Sequence, residues 1–376
     1  MNRPYIAVIV DLATHYGRNA FRGVDDYNRL QSGGFEVVLQ NRLAWQERKP
    51  VGVIGLFDNE QTLKMLQAGR LQVVNMSDQI PRTRFPTVVS DAREVGRLAA
   101  LHLLAAGFRH FGFYSVQGSL FNIKRGQGFI QALQAKGKQC ESCLAAPRRK
   151  RQQSLRERIQ LKQWIARLPK PVGIFCSYDW MAWFIYDVCK EAGIRIPCDV
   201  ALVGVDNDEL LCETYTPPLS SVDVDAKRIG REAAALLFRL LDGKSAPSQP
   251  ILVKPLGVVQ RPSSDVFISS DPHISTVAQY IRQHVDEPLK VATLLKLAPL
   301  SRRVLERRFS RGLGWSMRAE IHRCKIERVK QLLAGTNLLM TKIAAKTGFA
   351  SLSHMSFLFH KETGLTLQEY RRNFRH

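Results

Sequence analysis

Four aspartates stand where short β-branched runs end. Asp11 follows Ile9-Val10, Asp91 follows Val88-Val89-Ser90, Asp179 follows Phe175-Cys176-Ser177-Tyr178, and Asp206 follows Val203-Gly204-Val205. In open α/β sheets ligands bind beyond the carboxyl ends of the strands, so these carboxylates would face a crevice. One carboxylate can accept from two neighbouring hydroxyls at once, a specific way to hold a polyol. Arg18 and Arg125 could donate to ring and hydroxyl oxygens, and Tyr16, Phe121 and Trp180 could cover a sugar face. For Asp91 and Asp179 the competing assignment is helix capping. The candidate ligand set is Asp11, Arg18, Asp91, Arg125, Asp179 and Asp206.

A second chemistry lies near the other end of the chain. Ser301 is a good N-cap for a helix over Arg302 to Ser310, which carries Arg302, Arg303, Arg307 and Arg308 and leaves Val304, Leu305 and Phe309 for a core. Pro299 closes the turn before it, and Leu294, Leu295 and Leu297 give the preceding helix its apolar face. A helix with one apolar and one arginine-rich face suits major-groove docking, because Arg can hold phosphates or read guanine O6 and N7. A second helix-turn-helix follows. Met340 to Phe349 reads as a short amphipathic helix ending in a sharp turn at Gly348, and Ser351 to Lys361 as the next helix, stopped by Thr363-Gly364. Ile343, Phe349, Met355 and Phe359 are spaced for one small core. The candidate DNA contacts are Arg302, Arg303 and Arg307 on the first recognition helix and Leu352, Ser353 and Ser356 on the second. A long helix over Trp315 to Leu333 would join the two units.

Residues 4–262 alternate strands and amphipathic helices with a period of about 30 residues, which argues for parallel sheets covered on both faces. So many units suggest two lobes. The expected organisation is a two-lobed α/β sensing domain over residues 1–262, a linker over 263–272 opened by Arg261-Pro262-Ser263-Ser264-Asp265, and an all-α DNA-binding domain over 273–376.

Charge agrees with this division. The chain has a net charge of +22, and residues 271–376 hold 19 basic against 8 acidic residues, half of that excess. Such asymmetry favours a polyanionic partner bound in a salt-dependent way. A second basic run, Arg148-Arg149-Lys150-Arg151, reads as a solvated loop. The seven cysteines are scattered, and Cys140 and Cys143 form a lone C-x-x-C, which implies reduced thiols in a cytoplasmic protein and no zinc. No apolar run is long enough for a signal segment or a membrane span, so neither a periplasmic receptor nor a membrane protein is expected. The rival function is an enzyme of sugar metabolism with a basic tail. Against it, the nine histidines are dispersed, and no nucleophile-base spacing, metal cluster, P-loop or dinucleotide fingerprint stands out. No catalytic residue, metal or cofactor is expected.

Two family resemblances extend this reading. Ser301, Leu305, Arg307 and Phe309, with Ile343-Ala344, Gly348-Phe349, Phe359, Gly364 and Tyr370-Arg371, resemble the AraC/XylS transcription regulators over about residues 271–376. Leu367 stands where that family usually has Pro, Met355 replaces an aromatic, and Phe357 stands where Arg is common, which implies looser base reading by the second recognition helix. Gly52-Val53-Ile54, Gly107 to Gly112, Arg125-Gly126-Gln127-Gly128-Phe129 and Pro197 to Asn207 resemble the LacI/GalR-type, periplasmic-binding-protein-like sensor. That resemblance assigns sugar contacts to Arg125 and Asp206. Tyr178 departs from it, standing where Asn is common, and Trp180 and Trp183 lie nearby. The combination resembles that of xylose operon regulators. It implies a sugar-responsive activator with xylose or a related pentose as effector, a double-stranded operator and RNA polymerase as partners, and a homodimer.

Overall fold

The computed structural model describes residues 4–31, 34–40, 49–57, 59–69, 71–80, 83–146, 154–265, 271–287, 289–313 and 315–374. The chain divides into two compact units, Met1–Asp265 and Val266–His376.

The first unit has two lobes. β1 (Tyr5–Ile9), α1 (His15–Leu30), β2 (Glu36–Leu39), β3 (Gly52–Gly55), α2 (Glu60–Ala68) and β4 (Gln72–Asn75) build the first, a parallel sheet in the order β2-β1-β3-β4. Side chains alternate between its two faces. Ile6 and Val8 pack with Ala20 and Val24 of α1, whereas Tyr5 and Ala7 pack with Leu63 and Leu66 of α2. Burial on both faces explains why β1 reads as an unbroken apolar run.

The chain then crosses through β5 (Val88–Ser90) into α3 (Ala92–Ala105), β6 (His110–Val116), α4 (Leu120–Gln134), β7 (Cys140–Ala145), α5 (Leu155–Arg167), β8 (Val172–Cys176), α6 (Asp179–Glu191), β9 (Val200–Val205), α7 (Glu209–Thr214) and β10 (Ser220–Asp223). It returns to the first lobe with α8 (Ala226–Leu241), pairs β11 (Ile251–Val253) alongside β5, and ends in β12 (Gly257–Val259). The second sheet runs β12-β10-β9-β8-β6-β7, parallel except where β12 joins β10 antiparallel. On one face Tyr114, Ile174 and Leu202 meet Trp164 of α5 and Val188 of α6. Elsewhere in this lobe the rings of Phe113, Phe129 and Phe175 cluster, with Phe129 and Phe175 5.0 Å apart. The helix pair α3 and α4 touches through Gly96 and Gly128, where an added Cβ would collide with the carbonyls of Arg125 and Arg93. That close approach fixes the helix from which Arg125 projects.

The expected linker is corrected at its start. Ser263 and Ser264 are fully buried in the first unit: Ser263 Oγ donates to the Leu202 carbonyl (2.7 Å) and Ser264 Oγ to Ser220 Oγ (2.7 Å). Small hydroxyls satisfied by the sheet behave as core, so the polar composition of this stretch misled. Residues 266–270 and the basic run at 148–151 lie outside the described residues.

The second unit is helical: α9 (Pro272–Gln283), α10 (Val291–Leu294) with a 3₁₀ turn, α11 (Arg302–Leu313), α12 (Met317–Gly335), α13 (Met340–Lys346), α14 (Leu352–Thr363) and α15 (Leu367–Phe374). It has two cores. Ile274, Ile281, Leu294, Leu305 and Phe309 close around Met317 and Ile321, at the beginning of α12. Ile343, Phe349, Met355 and Phe359 close around Ile326, Val329 and Leu333, further along the same helix. Gly348 turns at φ 62°, where a Cβ would also clash with the Glu287 carbonyl. Glu320 is fully buried and takes bonds from Arg282 (3.1 Å), Arg323 (2.8 Å) and Trp315 (2.9 Å). Burial alone would raise its carboxyl, but these donors outweigh burial and hold it down to about 2.

Candidate ligand pocket and nucleic-acid interface

A cavity of about 280 Å³ opens between the two lobes of the first unit. The first lobe contributes His15 and Tyr16 at the start of α1, Leu56 after β3 and Met76, Ser77, Asp78 and Gln79 after β4. Ser90 lines it from the crossing strand β5. The second lobe contributes Phe121, Arg125, Tyr178, Asp179, Trp180, Asp206, Asp208 and Leu211. Strand ends from both sheets thus meet here, as the topology requires.

Arg125 and Asp206 come together at the centre. Arg125 is 6% exposed and lies 3.5 Å from Asp206 Oδ1. Its Nη1 donates to the Ser177 carbonyl at the end of β8. Its guanidinium sits 5.1 Å from the Phe121 ring centre and 5.3 Å from that of Tyr178, so aromatic faces hold the cation where water is scarce. Burial pushes the Asp206 carboxyl up to about 6, against the pull of Arg125. Asp206 has φ 101°, a region L residues rarely enter, and this backbone turn follows directly from the end of β9. The Arg125 Nε and the Ser90 Oγ are buried without a hydrogen-bond partner among the described residues. Both line the cavity, so both can bond a ligand.

Asp179 also lines the cavity, but its oxygens are engaged. Ser221 Oγ donates to Oδ1 (2.5 Å) and the Asp208 amide to Oδ2 (2.9 Å). Burial raises its carboxyl to about 8, helped by the charge of Asp206. Asp179 therefore clasps the loop that follows β9. It does not cap α6, whose N-cap is Tyr178.

Three candidates do not line the cavity among the described residues. Asp11 is exposed and closes the turn before α1, accepting from the Ala13 amide (2.9 Å). Arg18 straps that same turn, donating to the carbonyls of Leu12 (3.0 Å) and Ala13 (3.1 Å) and lying 3.8 Å from Asp208. Asp91 caps α3 through the Glu94 amide (3.1 Å). Trp183 is exposed beside Tyr215, away from the cavity. The lining residues that sequence reasoning missed include His15, Ser77, Asp78, Gln79, Ser90 and Asp208. The segment after β4 could have been found by applying to it the strand-end rule already applied elsewhere. Across the mouth, Lys124 pairs with Asp78 (2.6 Å) and Ser119 donates to Gln79 (3.1 Å), which ties the lobes together.

In the second unit Arg302, Arg303, Arg307 and Arg308 are exposed along α11, opposite buried Leu305 and Phe309. Arg302 pairs with Glu306 (3.0 Å) and Arg308 with Asp271 (3.2 Å). No hydrogen bond or ion pair engages Arg303 or Arg307 among the described residues. On α14, Ser353 is exposed, Ser356 is half-buried, and Leu352 packs partly against the second core. Phe357, 67% exposed, stands out from that helix.

The comparisons with known proteins follow the same division. A periplasmic binding protein-like domain matches residues 100–264, and a helix-turn-helix domain matches residues 294–373. The chain is a DNA-binding transcription regulator in which a periplasmic-binding-protein-like sensor is joined to an AraC-type helix-turn-helix domain. It is similar over 98% of its length to the xylose operon regulatory proteins of Haemophilus influenzae (27% identical, 98% of that protein) and Escherichia coli strain K12 (29% identical, 97% of that protein). It also aligns along its whole length with the whole solved structure of a xylose-binding transcription activator, at 28% identity and a TM-score of 0.65.

Proposed function

We propose that this regulator senses a free pentose, D-xylose or a close relative, and activates a sugar catabolic operon in the cytoplasm as a homodimer that engages RNA polymerase. The observation that carries the proposal is the cavity itself: a charge pair, Arg125 with Asp206, beside Tyr16, Phe121, Tyr178 and Trp180. A neutral polyol suits such a site. Its hydroxyls can bond both members of the pair, and its C–H face can lie on a ring. At about 280 Å³ the cavity is near the bottom of the roughly 300–1,000 Å³ span of small-molecule pockets, which favours a monosaccharide over an oligosaccharide. The full-length relatives named for the xylose operon support the choice of pentose. We assign ligand contact to Arg125 and Asp206, with Ser90 added, and DNA contact to Arg303 and Arg307 on α11 and Ser353 and Ser356 on α14.

The test uses the full chain. Duplexes are selected from a random pool, and calorimetry is run with D-xylose, L-arabinose, D-glucose and xylitol. The expected result is one pentose bound selectively, and a selected duplex whose affinity changes when that pentose is added. Binding of none of the four, or a duplex affinity indifferent to all, would sink the proposal.

A further inference from the structure

The loop that presents Asp206 is fastened to the segment by which the chain leaves the sensor unit. Asp206 and Asn207 take successive positive φ angles, 101° and 49°. Asn207 is 5% exposed, and its amide and both side-chain polar atoms are bonded within the unit. Its amide donates to Ser221 Oγ (3.0 Å), its Nδ2 to Asp223 Oδ2 (3.1 Å), and its Oδ1 accepts from Arg261 Nη2 (3.0 Å). Arg261 donates further to Glu213 Oε1 (2.7 Å) and to the Leu219 carbonyl (3.1 Å). Its main chain exchanges two bonds with Ser220 Oγ, each 2.8 Å. Four residues later, Asp265 ends the first unit.

We infer that Asn207 and Arg261 are positioning residues that couple occupancy at Asp206 to the setting of the exit segment, and so to DNA affinity; the inference rests on the sugar-sensing reading above. Two consecutive residues at positive φ have little dihedral freedom, so a shift of Asp206 is passed to Asn207 instead of being absorbed between them. The planar guanidinium of Arg261 meets three acceptors in fixed directions, so it follows the Asn207 amide as a body and takes its own main chain with it. Neither side chain lines the cavity, which separates this role from ligand contact.

The test exploits reciprocity: if sugar changes operator affinity by some factor, operator must change sugar affinity by the same factor. Both are measured on the full chain, with D-xylose and a duplex selected by the wild type. Asn207→Gly deletes the bridge while keeping the positive φ at no steric cost. Arg261→Gln removes it from the other side, and Arg261→Lys keeps the charge without the fork. D-xylose affinity of the free protein should stay within about threefold of wild type in Asn207→Gly and Arg261→Gln, while both coupling factors fall together to about one. Arg261→Lys should give an intermediate factor. Wild-type coupling in the folded variants overturns the inference, as does a parallel loss of sugar affinity of about tenfold or more, which would place the pair in the pocket machinery. Failure of the wild type itself to bind D-xylose or to respond to it strikes the sugar-sensing reading instead, and the coupling with it.

Discussion

The crevice and the first recognition helix use arginine in opposite ways. Arg125 is buried, flanked by two rings, bonded to a carbonyl and matched by Asp206. Arg303 and Arg307 lie exposed on α11, with a core of Leu305 and Phe309 beneath the helix. A buried, compensated charge is poorly screened and acts by direction, so it sets which ligand is held and at what pH. An exposed, uncompensated charge acts by counterion release, so it sets affinity for a polyanion and its dependence on salt. On the proposed assignment, one chain would hold a salt-insensitive sensor and a salt-sensitive reader.

The largest effect that would break this contrast is at Asp206. Asp206→Asn should weaken pentose binding by about 100-fold, roughly 3 kcal/mol, and equally at low and high salt, since two charge-assisted bonds are lost. Wild-type binding should also decline as pH falls through about 6, where Asp206 takes up its proton. Calorimetry across pH and salt reads both; a loss that disappears in high salt would contradict a buried role. Arg307→Ala comes next. Operator affinity should drop by about tenfold and the salt slope by about one, with sugar affinity untouched. An unchanged slope in a salt titration would remove Arg307 from the interface.

Asp179 tests the cost of burying an acid. Folding holds its carboxyl up to about 8, whereas the unfolded chain ionises near the ordinary value of 3.8. The unfolded state therefore sheds the proton first, and stability falls as pH rises through that window. Asp179→Asn removes the slope, so the variant should gain on wild type between about pH 5 and pH 8, by on the order of 1–3 kcal/mol at the upper end. Denaturant melts at both pH values check the sign. The smallest effect belongs to Phe357. An exposed ring on α14 offers an apolar contact to a thymine methyl instead of a guanine contact. Phe357→Ala should cost about threefold in operator affinity and abolish any discrimination between thymine and uracil at the contacted position.

Arg125 and Asp206 were legible because a motif around each fixes the backbone that aims it. Asp11 and Asp91 failed for a physical reason. Strand-end position places a carboxylate near the crevice, but a turn amide or a helix N-terminus competes for its oxygens, and sequence does not say which wins. Asp179 fell between the two, lining the cavity but with its oxygens already taken by Ser221 and Asp208. β7 is hard to read from sequence because most of its residues are exposed or half-buried, so it lacks the apolar run that marks a buried parallel strand. The helix-turn-helix cores were easier to read, since Ile343, Phe349, Met355 and Phe359 pack around one glycine turn whose position has no alternative.

One helix, α12, gives its first turns to the first core and its later turns to the second. Its 19 residues make a rod about 28 Å long, close to one repeat of B-form duplex. The distance and phase between the two recognition helices are then set by residue count and not by a hinge. A single residue inserted near Lys325 would swing one reading head about 100° around the rod relative to the other.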